Sequence, residues 1–150
     1  MEYRKFNETY YLRADKGDEV IGCILDVCGK EKIKSAIYSG IGGCSSAEIQ
    51  TFKPETGAFD TREISGMLEL VSLNGSVTTD ESGQLYHHTH AAFAYVCDGE
   101  HKMAAGHIKS TVVRYTAEIE LRPVINGVIQ RKTDPETKTG FWSFSDTTDK

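Results

Sequence analysis

The chain has 150 residues, 39% apolar and 26% charged, with a formal net charge of −5. That length and composition suit one soluble domain spanning residues 1–150, large enough to bury a core without disulfide staples. The acidic balance opposes a sequence-independent grip on nucleic acid, which comes from Lys and Arg neutralising phosphates, and no run of 18 apolar residues offers a membrane helix.

The opening stretch, MEYRKFNETYY, lacks the apolar run of a signal peptide. YYLRAD (10–15) reads as a first strand. A helix follows, with Asp18 as its cap. Val20, Ile24, Val27 and Cys28 form its apolar stripe, Ile21 and Leu25 widen it, and Gly29 marks its stop. Lys30, Lys32 and Lys34 lie just past that end, where cations suit the helix dipole. From there the chain reads as strands. IKSAIYSGIGG contains GIGG, which lacks the Lys-Ser/Thr of a phosphate loop and is expected to be a tight turn between strands. SAEIQTF alternates Ala47, Ile49 and Thr51. GMLELVSLNGSV places Leu68, Leu70 and Ser72 on one face, with Met67, Glu69, Val71 and Leu73 on the other. HTHAAFAYV and HKMAAGHI come next. STVVRYTAEIEL turns Val113, Tyr115, Ala117, Ile119 and Leu121 inward, against Arg114, Thr116, Glu118 and Glu120. GVIQRK and GFWSF close the chain. The expected fold is α+β: a mainly antiparallel sheet of about seven strands with one principal helix.

The four cysteines, Cys23, Cys28, Cys44 and Cys97, contain no C-x-x-C pair. A thiolate zinc site is not expected; without a secretory signal the thiols are expected to be reduced, cytoplasmic and mostly buried as small hydrophobes.

All five histidines fall between Tyr86 and His107. Asp98-Gly99 is a hairpin turn signal, since a type I′ turn wants positive φ at both central residues. With those two at the turn, Cys97 faces Glu100 and His90 stands opposite His107. Directly opposed residues share a face, with Cβ atoms about 4.5–5.5 Å apart. His88, two residues before His90, shares that face. Three imidazoles then converge on one patch, and zinc accepts three histidine nitrogens with an open fourth position. The register is conditional: an odd loop length or a bulge at Gly106 would turn His107 away. His87 points to the other face and His101 lies about 20 Å from His107 along the strand. Both are expected to be surface histidines. Solvated or hydrogen-bonded histidines on a sheet face remain the alternative to a metal site.

In order along the chain, YYLRADKGDEVIGCILDVC, AIYSGIGGCSSAEI, LELVSLNGSV (Glu69, Ser72, Leu73 and Gly75 in place), HTHAAF, AGHI and TAEIEL resemble the segments of the PPC domain, the plant and prokaryote conserved domain. The resemblance covers nearly the whole chain. It departs at Ala105-Gly106-His107-Ile108, where the family has two glycines before the histidine. It implies an antiparallel sheet carrying a helix, assembled as a homotrimer. Plant members add AT-hooks and act on DNA; this sequence has no R-G-R-P, so the free-standing prokaryotic type is the match and DNA binding by this chain alone is not expected. The fold also resembles that of acetolactate decarboxylase, whose zinc sits on an H-x-H pair and a third histidine. That likeness implies His88, His90 and His107 as zinc ligands.

Two function classes follow. One is a trimeric, cytoplasmic binding protein with a zinc site that takes a small anionic ligand. The other is a zinc enzyme acting on a small oxo-acid, decarboxylase-like, in which zinc polarises a carbonyl as a Lewis acid. An enzyme also needs a proton donor. Glu69, an acid within MLELVSL, is the catalytic candidate, against a structural role for it as a hydrogen-bond partner of a histidine or of the backbone. Glu118 reads as solvated. A third reading, DNA binding as in the plant members, would need a basic stripe, for which Lys30, Lys32, Lys34 and Arg131-Lys132 are the available groups.

Overall fold

A computed structural model of the chain describes residues 1–137 and 139–146. Among them are eight strands and one helix: β1 (Glu2–Phe6), β2 (Thr9–Asp15), α1 (Val20–Lys30), β3 (Ala36–Lys53), β4 (Ala58–Thr79), β5 (Leu85–Cys97), β6 (Glu100–Pro123), β7 (Gly127–Thr133) and β8 (Gly140–Asp146). The α+β expectation holds. β1, ahead of the expected first strand, pairs with β2 along its whole length.

The sheet runs β1-β2-β6-β3-β4-β7-β8, and β5 pairs with both β4 and β6. Every ladder is antiparallel save a single parallel rung between Thr79 and Gln130. Because β3 and β5 each join β4 to β6, the four strands β3–β6 close on themselves. Leu68, Leu70, Leu73, Phe93, Val113, Ile119 and Leu121 belong to the core. Helix α1 packs on β2, β5 and β6, burying Val20, Ile21, Cys23, Ile24, Val27 and Cys28. Three cysteines are buried as expected; Cys97, at the hairpin end, is exposed. Burial raises the Cys23 thiol to about 11 and Cys28 to about 12, so both stay protonated and inert.

Four local expectations change. The cap of α1 is Glu19, not Asp18. The Glu19 carboxylate accepts from Ile21 N (3.2 Å) and Gly22 N (2.6 Å), and also from Thr111 N of β6 (3.0 Å). Asp18 instead accepts from the Asp15 amide. GIGG is not a turn; it lies inside β3. Its glycines let β3 approach β6: a Cβ at Gly42 would stand 2.6 Å from the Thr116 carbonyl oxygen. A bulge between Leu70 and Ser72 moves Leu73 onto the core side with Leu68 and Leu70, and leaves Val71 exposed. Irregular pairing between Gly42 and Cys44, opposite Ala117 and Val113, turns Tyr115 outward, 64% exposed. In β4 one extra residue inverts the two-residue alternation beyond it, whereas in β6 two extra residues break it only locally, Val113 and Ala117 both staying buried.

Candidate metal centre

Asp98 and Gly99 have φ of 55° and 76°, as a type I′ turn requires. Cys97 faces Glu100, and the ladder runs back without a shift to His90 opposite His107. Gly106 sits in register opposite Ala91, with no bulge between β5 and β6. The ring centroids are 4.2 Å apart for His90 and His107, 5.1 Å for His88 and His107, and 5.3 Å for His88 and His90. One ring nitrogen from each of the three lies within 4.8 Å of the others.

The triad stands at a fork. His90–His107 is the last rung between β5 and β6. Beyond it β6 pairs with β3, His107 facing Gln50 and Ile108 facing Ile49, while Leu85 to Thr89 pair with β4. The parting strands leave a cleft of about 790 Å³. Its walls include Tyr86, His87, His88 and Thr89 in succession, and likewise His107, Ile108 and Lys109. Successive strand residues point to opposite faces, so the cleft reaches through the opened sheet. Phe59 covers one side, edge-on to His107 at 5.3 Å, and Arg131 and Gly140 come from the β7–β8 hairpin. The backbone parts here because β5 stays on β4 from Thr89 back to Leu85, while the same edge of β6 turns farther on to Gly17, Asp18 and Glu19 ahead of the helix.

Burial lowers the pKa of His88, and the charges of His107, His90 and Arg131 lower it further. His107 is lowered by burial first, then by His90 and Arg131. Both effects favour the neutral imidazole, the form with a lone pair for a metal. Three converging histidine nitrogens suit zinc and other borderline divalent ions, so the residues present fit such an ion.

His101 is exposed, as expected; His87 is not a surface residue. It is half-buried, its Nδ1 2.9 Å from Thr89 Oγ1, which also bonds the Tyr38 hydroxyl. Burial lowers its pKa. Both it and Thr89 line the cleft.

Glu69 is exposed and pairs with Ala94. Ala94 is four residues past His90, about 13 Å along the strand. Glu69 lines a separate cleft with Met67, Tyr115 and Glu118. Glu118 is exposed, as the solvated-face reading expects. No carboxylate lines the histidine cleft among the described residues. Arg131, read from the sequence only as part of a basic pair, is the cleft residue that sequence reasoning missed. It comes from a hairpin remote in sequence, and nothing local signals that it returns to the triad.

The family model of the Plants and Prokaryotes Conserved (PCC) domain matches residues 1–125. No curated protein is similar enough to count as a match. Among solved structures, a plant- and prokaryote-conserved (PPC) protein of Pyrococcus horikoshii is 28% identical, with a TM-score of 0.80 over 95% of this chain and 93% of that one. A metal-containing protein of Archaeoglobus fulgidus is 27% identical, with a TM-score of 0.79 over 95% and 96%. A protein of Ralstonia eutropha, described as a candidate for DNA binding, is 25% identical, with a TM-score of 0.83 over 94% of each chain.

Proposed function

The chain belongs to the Plants and Prokaryotes Conserved domain family, and we propose that it is a cytoplasmic, homotrimeric member. Its His88–His90–His107 centre holds zinc and presents it to a small anionic ligand. The observation that carries this reading is the convergence of three imidazoles at the mouth of an open cleft. The metal-containing relative of the same fold supports it. Zinc on three histidines keeps a coordination position for a ligand oxygen and acts there as a Lewis acid. The rest of the cleft belongs to the protein: Phe59 and Ile108 exclude water, and Arg131 supplies positive charge.

The trimer is supported by the sheet's exposed apolar side chains. Ile41, Val71, Met67, Tyr115 and Tyr11 are all exposed and line two adjoining clefts that share Ile41 and Val71, and a contiguous apolar patch of this kind marks an interaction site.

A zinc enzyme for a small oxo-acid is the alternative, and its support is that the cleft is open to a small molecule and holds His87. Glu69 would then have to act from about 13 Å along the strand, whereas His87, neutral and inside the cleft, is better placed to move a proton. The absence of a lining carboxylate among the described residues favours binding over catalysis. DNA binding draws support from the description of the Ralstonia relative. The net charge of −5 opposes it, and Arg131 is turned into the cleft rather than onto a basic stripe.

The test is the metal content and mass of the purified, untagged protein, beside a His88→Ala/His90→Ala/His107→Ala variant. About one zinc per chain in a species of three chains' mass, with the metal lost in the variant, is expected. No metal in the wild type after zinc loading and removal of excess would overturn the zinc reading. A retarded DNA band at physiological salt would revive the third reading.

A further inference from the structure

We infer that Arg131 makes the histidine cleft a two-point site for a small carboxylic acid: the carboxylate pairs with the guanidinium while a second oxygen of the same molecule reaches the metal. This rests on the metal reading above.

Arg131 is half-buried in the cleft wall. Arg4, Arg13 and Arg122 each have a carboxylate partner. Among the described residues Arg62, Arg114 and Arg131 have none within ion-pair distance, and of these three only Arg131 is withdrawn from solvent, Arg62 and Arg114 being exposed. A partly desolvated charge without a counter-ion is unfavourable, and a ligand's charge would relieve it. The guanidinium is held rather than loose. It lies over the Tyr86 ring, 4.1 Å from its centroid, a cation–π contact that fixes its plane. On the paired strand a side chain at Gly140 would overlap the guanidinium atoms. Arg131 lines the same cleft as His88 and His107, so the fork of donors and the triad address one space.

The chemistry narrows the ligand. Among the described residues Lys109 is the other Lys or Arg of the lining, and it is paired with Glu48 at 2.8 Å, which leaves Arg131 as the unpartnered one beside the triad. A planar guanidinium matches a carboxylate through two parallel hydrogen bonds. Phe52, Phe59 and Ile108 offer an apolar wall for a short carbon chain. A single free charge and an apolar wall fit a monocarboxylate better than a phosphate. The clamp sits in β7, beyond residues 1–125 that the family model matches.

The experiment uses the full chain loaded with cobalt(II), whose visible spectrum reports both metal content and the arrival of a ligand at the metal. The probes are pyruvate, its uncharged analogue pyruvamide, and inorganic phosphate. Arg131→Gln, Arg131→Lys and Gly140→Ala are compared with the wild type, and every variant is expected to keep the wild-type cobalt stoichiometry. Pyruvate should bind the wild type more tightly than pyruvamide. Arg131→Gln should weaken pyruvate on the order of tenfold to a hundredfold, the size of one charged hydrogen-bonded contact, and leave pyruvamide unchanged. Arg131→Lys should fall between. Gly140→Ala, which displaces the guanidinium without removing it, should weaken pyruvate and spare pyruvamide. Equal pyruvate affinity in wild type and Arg131→Gln, with cobalt bound in both, would overturn the clamp and leave the metal reading standing. Phosphate binding that depends on Arg131, with no pyruvate binding, would overturn the carboxylate assignment. Failure of the wild type to take up cobalt would overturn both readings.

Discussion

Replacing Gly106 by alanine puts one methyl group next to the rung where the β5–β6 ladder ends and β3 begins to pair on the other edge of β6. An added Cβ would stand 2.8 Å from the Gln50 carbonyl oxygen and 2.9 Å from Ile49 Cγ2. Neither neighbour can step aside freely: the first is backbone inside a ladder, and the second belongs to a buried core residue. The strands must part by roughly half an ångström before those contacts become ordinary, and overpacking of this kind costs about 1–3 kcal/mol. For a domain of this size that lowers the melting temperature of the metal-free protein by about 2–12 °C. His107 is the next residue, so the strain also moves a ligand of the triad. A misplacement approaching half an ångström is enough to loosen a metal site, and a fall in zinc affinity on the order of tenfold is expected. Melting by circular dichroism and competition with a chromophoric chelator read the two effects. Gly29→Ala is the control: it is helical, has nothing within 4 Å of its added Cβ, and should leave zinc affinity alone and stability equal or higher. Unchanged melting and affinity in Gly106→Ala would refute the close approach at the fork and the coupling of that glycine to the triad.

Glu19→Ala removes the acceptor of three backbone amides at once and should cost about 2 kcal/mol in urea unfolding; a loss below about 0.5 kcal/mol would mean that water replaces the cap at no expense. Leu73→Ala should cost about 2–5 kcal/mol as a core truncation, whereas Val71→Ala in a dilute monomer should change stability by less than about 0.5 kcal/mol; the reverse order in chemical denaturation would place the bulge elsewhere. In metal-free protein the folded pKa values of His87, His88 and His107 lie below the ordinary value of 6.5. The unfolded chain therefore takes up protons first as pH falls. Stability is full above about 6.5, declines as pH drops through that value, and is wholly lost from these groups once pH is below their folded pKa values. Melting temperatures that stay flat from pH 8 to pH 5 would contradict the burial assigned to these rings.

Local chemistry determined a good deal of this protein. The Asp-Gly pair chose a type I′ turn. The turn chose the register of β5 against β6, and that register set His90 opposite His107. Each step needs only backbone conformation and a two-residue period, so it can be read from a short stretch of chain. The apolar stripe of α1 and the alternation within single strands were legible for the same reason. What tertiary structure decided begins where neighbours intervene. The bulge beside Val71 and the irregular pairing opposite Gly42 arise because each strand is paired on both edges and must satisfy two partners at once. Alternation therefore fails at Leu73 and Tyr115. Glu19 rather than Asp18 caps the helix because β6 brings Thr111 N within reach of the longer side chain. The cleft exists only because β5 parts from β6 beyond His90–His107 while staying on β4. Arg131 joins it because the β7–β8 hairpin folds back over Tyr86. The sequence could bring three histidines together, since all of them ride on one hairpin. It could not show what faces them, since those groups arrive from strands whose placement depends on the closed sheet as a whole.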